Sequence, residues 1–486
     1  HTHYPKTGTR RLPLSKWQTT IAALMLLLFP GMITAQTIEN GVLTEWKGAS
    51  GDIEIPLSVK QIAPKVFKSN TLITSVKFNE GLQEIGDEAF TSCSKLKQLN
   101  FPNSLTQIGF KAFYKCSGLT AVNFGTSLKV LGGTAFSYCG KLTSINLPGS
   151  LDSIGDNAFN YCKVLKSVTI GNGTTIVGKQ AFRLCKKLSQ VTFPASMESI
   201  NDDAFRDCSL LTKVDLAASR LTSIGNGAFC NCAALSEVAL PQSVKNIGAY
   251  ALSQDVNLNK INIPTQLTQV GDFAFNGCTK ITEVALPEGL NTIGKGAFYK
   301  CNGITAITIP ASVTTMGEQV CYQCANLKSA EVKAKLSDIP AGTFAYCDLL
   351  ESVKLPESVT TIGSEAFRAC QRLTSFPWPT QLKTIEKLAF RGCTGFTEVT
   401  LPSSLTYAGE EAFSHCTALK NITLAEKMDS TGTQLLAYCD VLEKIAFPNT
   451  MSNIAAAVCY GCPELKEVKI GNNVKHIGST AFAMCL

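Results

Sequence analysis

Twenty cysteines are the residues whose chemistry would be sought first, because thiols can pair, ligate a metal or attack an electrophile. Their spacing argues against all three. Seventeen of them (93, 116, 139, 162, 185, 208, 232, 278, 301, 324, 347, 370, 393, 416, 439, 462 and 485) stand three residues after a recurring, mostly phenylalanine position. Asn70 and Asp255 fill the same slot elsewhere. A position shared by Cys, Asn and Asp reads as a buried spine reaching backbone groups in a turn, the thiol acting as a small hydrophobe with a weak S–H donor. Neighbouring spine members should lie ~5 Å apart, but with parallel Cβ vectors, so free thiols are expected instead of a disulfide framework. Cys230, Cys321 and Cys459 occupy or adjoin the phenylalanine position, and Cys321 and Cys459 are the likeliest of the three to pair, although core filling is the expected role. The Cys-x-x-Cys spacings of Cys321/Cys324 and Cys459/Cys462 follow from that arrangement, so neither zinc nor redox chemistry is expected and no cofactor is implied. Of four histidines, His1 and His3 precede an apolar run, while His415 and His476 fall far apart. Acidic residues such as Asp156, Glu288 and Glu357 stand at turns, where exposed carboxylates belong. No phosphate-binding glycine loop is present. The chain is not expected to be an enzyme.

The element that positions these residues is a repeat. Phe67, Phe90, Phe113, Phe136, Phe159, Phe182 and Phe205 follow one another at 23 residues. After one 24-residue step the series runs Phe229, Leu252, Phe275, Phe298, Cys321, Phe344, Phe367, Phe390, Phe413, Leu436, Cys459 and Phe482. The position is therefore a buried apolar slot, and Leu252, Cys321, Leu436 and Cys459 are expected to mark looser coils. In the unit 136–158, Ile145 and Leu147 alternate with Ser144 and Asn146, the period-two pattern of a short strand with one buried face. Pro148 ends the ladder because it has no N–H. Leu151 and Ile154 cross the far side, Gly155 permits a tight turn, and Asp156 to Phe159 read as a short helical or 3₁₀ turn. No such unit can bury its apolar edge alone. Stacking makes one core and joins the short strands into a long parallel sheet. The expected fold is an α/β repeat solenoid with parallel short strands on one face, about nineteen coils and few long helices, roughly 90 Å long at ~4.8 Å per coil.

Lys6, Arg10, Arg11 and Lys16, then the apolar run Ile21–Phe29, then Thr34-Ala35 before Gln36, have the layout of a secretory signal over residues 1–35. The run is short for a bilayer span, so no membrane span is expected once it is removed. Without it the net charge falls from +7 to +3, with Lys and Arg scattered among Asp and Glu, which gives nucleic acid binding no electrostatic basis. Residues 36–66 read as an N-terminal cap and first half-repeat, with Trp46 the candidate lid, and residues 67–486 as the solenoid. The chain stops mid-coil at Leu486, and self-association through that open end is a further expectation. The 24-residue coil at 205–228 replaces proline with Leu216-Ala-Ala-Ser-Arg-Leu221. It reads as a tolerated bulge, or else as a bend or local binding feature.

Two surfaces are candidates for recognition. The solvent side of each strand carries small polar residues and an occasional lysine, among them Asn100, Asn123, Asn146, Asn262, Lys354 and Lys469. The turn after the phenylalanine slot gathers Tyr114, Tyr138, Tyr161, Tyr299, Tyr322, Tyr346, Tyr438 and Tyr460 into a discontinuous stripe, serving either half-buried packing or protein recognition. With the units laid out, the strings LTSIGNGAFCNCAALSEVALPQSV (221–244) and ITEVALPEGLNTIGKGAFYKC (281–301) resemble the BspA-like, Treponema pallidum-type leucine-rich repeat family from residue 38 onward. The 23-residue period lies within that of leucine-rich repeats. The resemblance implies an exported adhesion or recognition module for a host-matrix or bacterial surface protein, placed at the cell surface, secreted or periplasmic. A scaffolding solenoid without a ligand and a glycan-binding protein are the other readings it leaves. Cell-wall motif, lipid-carrying cysteine and C-terminal sorting domain are not recognised in the sequence.

Overall fold

Each coil contributes two short strands, and the two behave differently. The computed structural model describes residues 35–485; the signal-like segment lies outside them but for Ala35. In the coil beginning at Phe136, the first strand is Ser144–Asn146 and the second Ser153–Ile154. The first follows the alternation of Ile145 with polar neighbours. It pairs in parallel with Ser167–Thr169 one coil on, and that strand pairs with Gln190–Thr192. Between the two strands Pro148 and Leu151 close a turn, the Leu151 N–H donating to the Pro148 carbonyl at 3.2 Å.

The long sheet is made by the second strands, which fall into sheets of fourteen, five and two strands, contrary to the sequence expectation. Two-residue strands such as Glu84–Ile85, Gln107–Ile108 and Val130–Leu131 join with the N-terminal hairpin into fourteen strands in register. The first strands form separate sheets of two to four. In paired coils a fourth bond extends the three-residue strand, as from the Leu147 N–H to the Thr169 carbonyl at 2.9 Å. Proline falls at or beside this place in most coils. In the coil that carries Pro377 within the strand position, residues 375–379 form no strand at all.

No helix occurs among the described residues, so the α/β description is corrected to an all-strand-and-turn coil. The segment read as helical is a chain of linked turns. Ala158, Asn160 and Cys162 donate to carbonyls three residues back, whereas Asn157, Phe159 and Tyr161 donate to Lys179, Ala181 and Arg183 of the next coil, each at 2.8 Å. Alternate amides are thus committed between coils, and an i→i−4 ladder cannot form. Asn157 and Tyr161 sit in the left-handed region at φ 58° and 65°, and their equivalents do the same in coil after coil.

Gly155 needs a different explanation from the one its turn suggests. Its φ is not positive; a Cβ there would lie 2.5 Å from the Leu131 carbonyl oxygen and 2.7 Å from Gly133 N. Coils touch backbone to backbone at this corner.

The core is one cluster along the whole array. Phe90, Phe113, Phe136, Phe159, Phe182, Phe205 and Phe229 stack ring on ring at 5.1–5.6 Å and 3–8°. Leu252 and Cys321 interrupt the stack while staying fully buried. At the N-terminal end Ala35–Glu39 and Val42–Lys47 form an antiparallel hairpin turning at Asn40-Gly41, both with positive φ. The Trp46 ring lies 5.7 Å from that of Phe67. No helix of the described residues is long and apolar enough to cross a membrane.

Candidate recognition surface

The cysteine spine is built from the phenylalanine backbone. The thiol of Cys116 donates to the Phe90 carbonyl at 3.2 Å, which also accepts the Cys93 N–H at 3.1 Å. All seventeen spine thiols make the equivalent bond, 26 or 27 residues back, at 3.0–3.4 Å. Each Sγ therefore occupies a lone pair that the turn leaves open. All twenty cysteines are unpaired, and all but Cys485 are buried. Cys321 and Cys459, the likeliest of the off-spine three to pair, sit fully buried as core residues. Burial pushes Cys162 up to about 12 and Cys139 well above its usual 9.0, which disfavours the thiolate at these two positions, whereas the hydrogen bond with Cys459 lowers Cys462. Among the described residues no three metal-binding side chains converge.

The eight tyrosines fall into three aromatic runs on the turn edge. Tyr114, Tyr138 and Tyr161 form the first, with ring centroids at 5.7 and 4.6 Å. Tyr299, Tyr322 and Tyr346 belong to the second, at 4.9 and 5.3 Å, and Tyr438 and Tyr460 to the third, at 5.6 Å. Sequence reasoning missed the members that extend them. Tyr250 stacks on Phe273 and Phe273 reaches Tyr299, while His415 lies 4.8 Å from Tyr438. They occupy the left-handed positions two residues before or after the phenylalanine slot, a register the tyrosine count alone did not expose. Cations cover several rings: Lys163 on Tyr161 at 4.3 Å, Lys115 on Tyr114 at 5.2 Å and Arg368 on Tyr346 at 5.3 Å. Tyr138, Tyr250 and Tyr438 are about two-fifths exposed.

The strand face carries clefts, among them one where its ladder breaks. Asn123 donates to Asn100 at 2.6 Å, but Asn146 lies in the neighbouring short sheet. Asn262 is engaged twice by Leu240, accepting from its N–H and donating to its carbonyl, both at 2.8 Å. Its amide thereby stands in for a missing strand bond. Lys354 approaches Glu331 at 3.9 Å, and Lys469 pairs with Glu467 at 3.5 Å. Lys469 also borders a cleft of about 280 Å³ with Asn421, Lys444 and Phe447. A second cleft, about 600 Å³, lies between Gln190–Thr192 and Lys213–Asp215, whose strands do not pair. Its wall includes Ala218 and Ser219 from the 24-residue coil, where Ser219 rather than a leucine closes the turn onto Leu216 at 2.9 Å. The extra residue thus borders a surface opening.

Comparison with known proteins places this geometry. The BspA type leucine rich repeat region model matches residues 37–166, 152–270, 245–374 and 360–486, so the matches together span nearly all of the described chain. The chain belongs to the BspA-type leucine-rich repeat family. A leucine-rich repeat protein from Bacteroides ovatus is 26% identical with a TM-score of 0.57, over 86% of this chain and 93% of that one. A T. pallidum leucine rich repeat protein is 27% identical with a TM-score of 0.34, over 42% of this chain and 87% of that one. A leucine rich cell surface protein from Faecalibacterium prausnitzii is 23% identical with a TM-score of 0.36, over 81% and 95%. No curated protein matches the chain.

Within this BspA-type array the charge is not scattered, as the overall balance suggested. Residues 89–197 hold twelve Lys and Arg against Asp152 and Asp156 alone, while the rest of the described chain holds twenty-eight against thirty-five. Lys179 with Asp202, at 3.9 Å, is the one ion pair formed from this stretch among the described residues.

Proposed function

We propose that this protein is an exported recognition module that binds a host-matrix or bacterial surface protein through its turn edge. The carrying observation is the set of aromatic runs: partly exposed tyrosines held at coil spacing on a rigid core. Tyrosine supplies large contact area at low cost in side-chain entropy, and a repeated edge favours extended contact over a deep pocket. The basic stretch followed by the apolar run at residues 21–29 supports export, to the cell surface, the periplasm or the medium.

The test is binding of the full chain, without residues 1–35, to arrays of purified extracellular-matrix and bacterial surface proteins. A Tyr138→Ala/Tyr161→Ala variant and a Tyr322→Ala/Tyr346→Ala variant should each lower affinity for a retained protein at least ~10-fold, the scale of a buried aromatic anchor. A Lys354→Ala/Lys469→Ala variant on the strand face should leave it within ~2-fold, as rim charges do. Retention unchanged by either edge variant overturns the reading.

A further inference from the structure

The run of cations on the first aromatic edge is not neutralised by ion pairs among the described residues. Counted from the phenylalanine slot, Lys115, Lys141, Lys163, Lys186 and Lys187 stand two to five residues after it, in successive coils along the same turn edge as Tyr114, Tyr138 and Tyr161. All five are exposed, and none makes an ion pair among the described residues. Arg183, on the same edge, keeps a shielded Nε with no hydrogen-bond partner. Within this stretch the carboxylates are Asp152, just before the second strand, and Asp156, which accepts the Lys179 N–H at 2.7 Å; Asp207 stands one coil beyond, 3.9 Å from Arg206. Unopposed like charges on a rigid edge repel one another and raise the local potential, a cost that a counter-charged ligand relieves. Parallel coils at ~4.8 Å spacing spread them along about 15 Å, the footprint of an extended chain, not of a single anion.

The aromatic rings decide between two kinds of polyanion. Tyr138 and Tyr161 stack on each other at 4.6 Å and 29°, and Lys115 and Lys163 lie over the rings of Tyr114, Tyr138 and Tyr161. Their faces are thus largely occupied by one another and by ammonium groups. Single-stranded nucleic acid needs open aromatic faces on which bases can stack. Ammonium groups together with phenolic hydroxyls and ring edges instead suit sulfate groups and sugar hydroxyls.

We propose that the turn edge from Tyr114 to Lys187 is a binding site for a sulfated polysaccharide. The site shares Tyr138 and Tyr161 with the protein-recognition reading, but its test substitutes only lysines, so either reading can fail while the other holds.

The test is equilibrium binding of the chain lacking residues 1–35 to a heparin-derived oligosaccharide, to uncharged dextran and to a single-stranded DNA oligonucleotide at ~150 mM NaCl, where long-range surface charge is largely screened. The heparin probe should bind, weaken steeply with added salt, and exceed both other probes at least tenfold. A Lys115→Glu/Lys141→Glu/Lys163→Glu/Lys186→Glu variant should lose at least tenfold. A Lys280→Glu/Lys300→Glu/Arg372→Glu/Lys420→Glu variant, with the same change in net charge on later coils, should keep affinity within about twofold. Both variants should retain the parent's circular dichroism and melting point. Equal loss in the two variants, DNA bound as tightly as heparin, or no heparin binding at this salt each overturns the proposal.

Discussion

Asp255 shows what the spine demands of a single residue. Everywhere else in the cysteine register a neutral donor faces the carbonyl of an earlier phenylalanine-type residue, and at position 70 an asparagine amide donates to the Ala49 carbonyl at 2.8 Å. Asp255 accepts the Cys232 N–H at 2.8 Å, yet its second oxygen is buried without a partner. Burial raises its pKa well above the usual 3.8, opposed only in part by the Cys232 N–H. The ionisable groups around it are Cys230, Cys232 and Cys278, none of which neutralises a carboxylate. Because the folded state holds this proton more tightly, stability is greatest below about pH 4 on this account and falls as pH rises toward the raised value. Asp255→Asn supplies a permanent donor and removes that dependence. At pH 7 it should stabilise the protein by about 1–3 kcal/mol, the usual cost of an unsatisfied buried polar group. Thermal melts of both proteins from pH 4 to 8 check this: a stability difference that does not grow with pH refutes the assignment.

At the scale of the coil, backbone approach sets the rules more than turn geometry does. Gly155 meets the preceding coil at Leu131 O and Gly133 N, and Gly132 meets Gly109 in the same way, with its carbonyl carbon at 2.5 Å. Gly155→Val should cost about 1–3 kcal/mol through overpacking, and more than Gly140→Val, where a Cβ meets nothing within 4 Å. Since each coil contacts only its neighbours, the damage should be local. Hydrogen exchange should speed up most in residues 132–178 and little beyond about residue 250. Uniform acceleration along the chain would contradict nearest-neighbour stacking. The linked turns around Phe159 follow the same logic. Positive φ at Lys115, Tyr138, Tyr161 and Leu184 is unfavourable for these residue types, and it persists because alternate amides bond the next coil. No preference of those residues announces it; only glycines at the same register, such as Gly277 and Gly392, hint at it.

For the whole molecule, stacking fixes shape and charge fixes polarity. About nineteen coils at ~4.8 Å make a body roughly 90 Å long. Small-angle scattering of the chain without residues 1–35 should give a radius of gyration well above the ~22 Å of a compact chain of this length. A value near that figure would contradict the solenoid. Along the body, a basic segment at residues 89–197 lies between acidic segments on either side, so a partner meets two different electrostatic surfaces on one scaffold.

The 23-residue spacing of Phe67 through Phe482 was enough to establish a stacked solenoid, because an apolar residue returning at a fixed interval can be hidden only by a neighbouring copy. The cysteine register likewise indicated buried thiols, since a slot shared with Asn70 and Asp255 calls for a donor or acceptor and not a bridge. Hydrogen-bond routing was decided by tertiary structure alone: which strands form the long sheet, why Gly155 is glycine, and why Asp156 to Phe159 make linked turns and no helix. A local pattern reports which side chains face inward, but an amide that bonds a residue 22 positions away leaves no trace in its own neighbours.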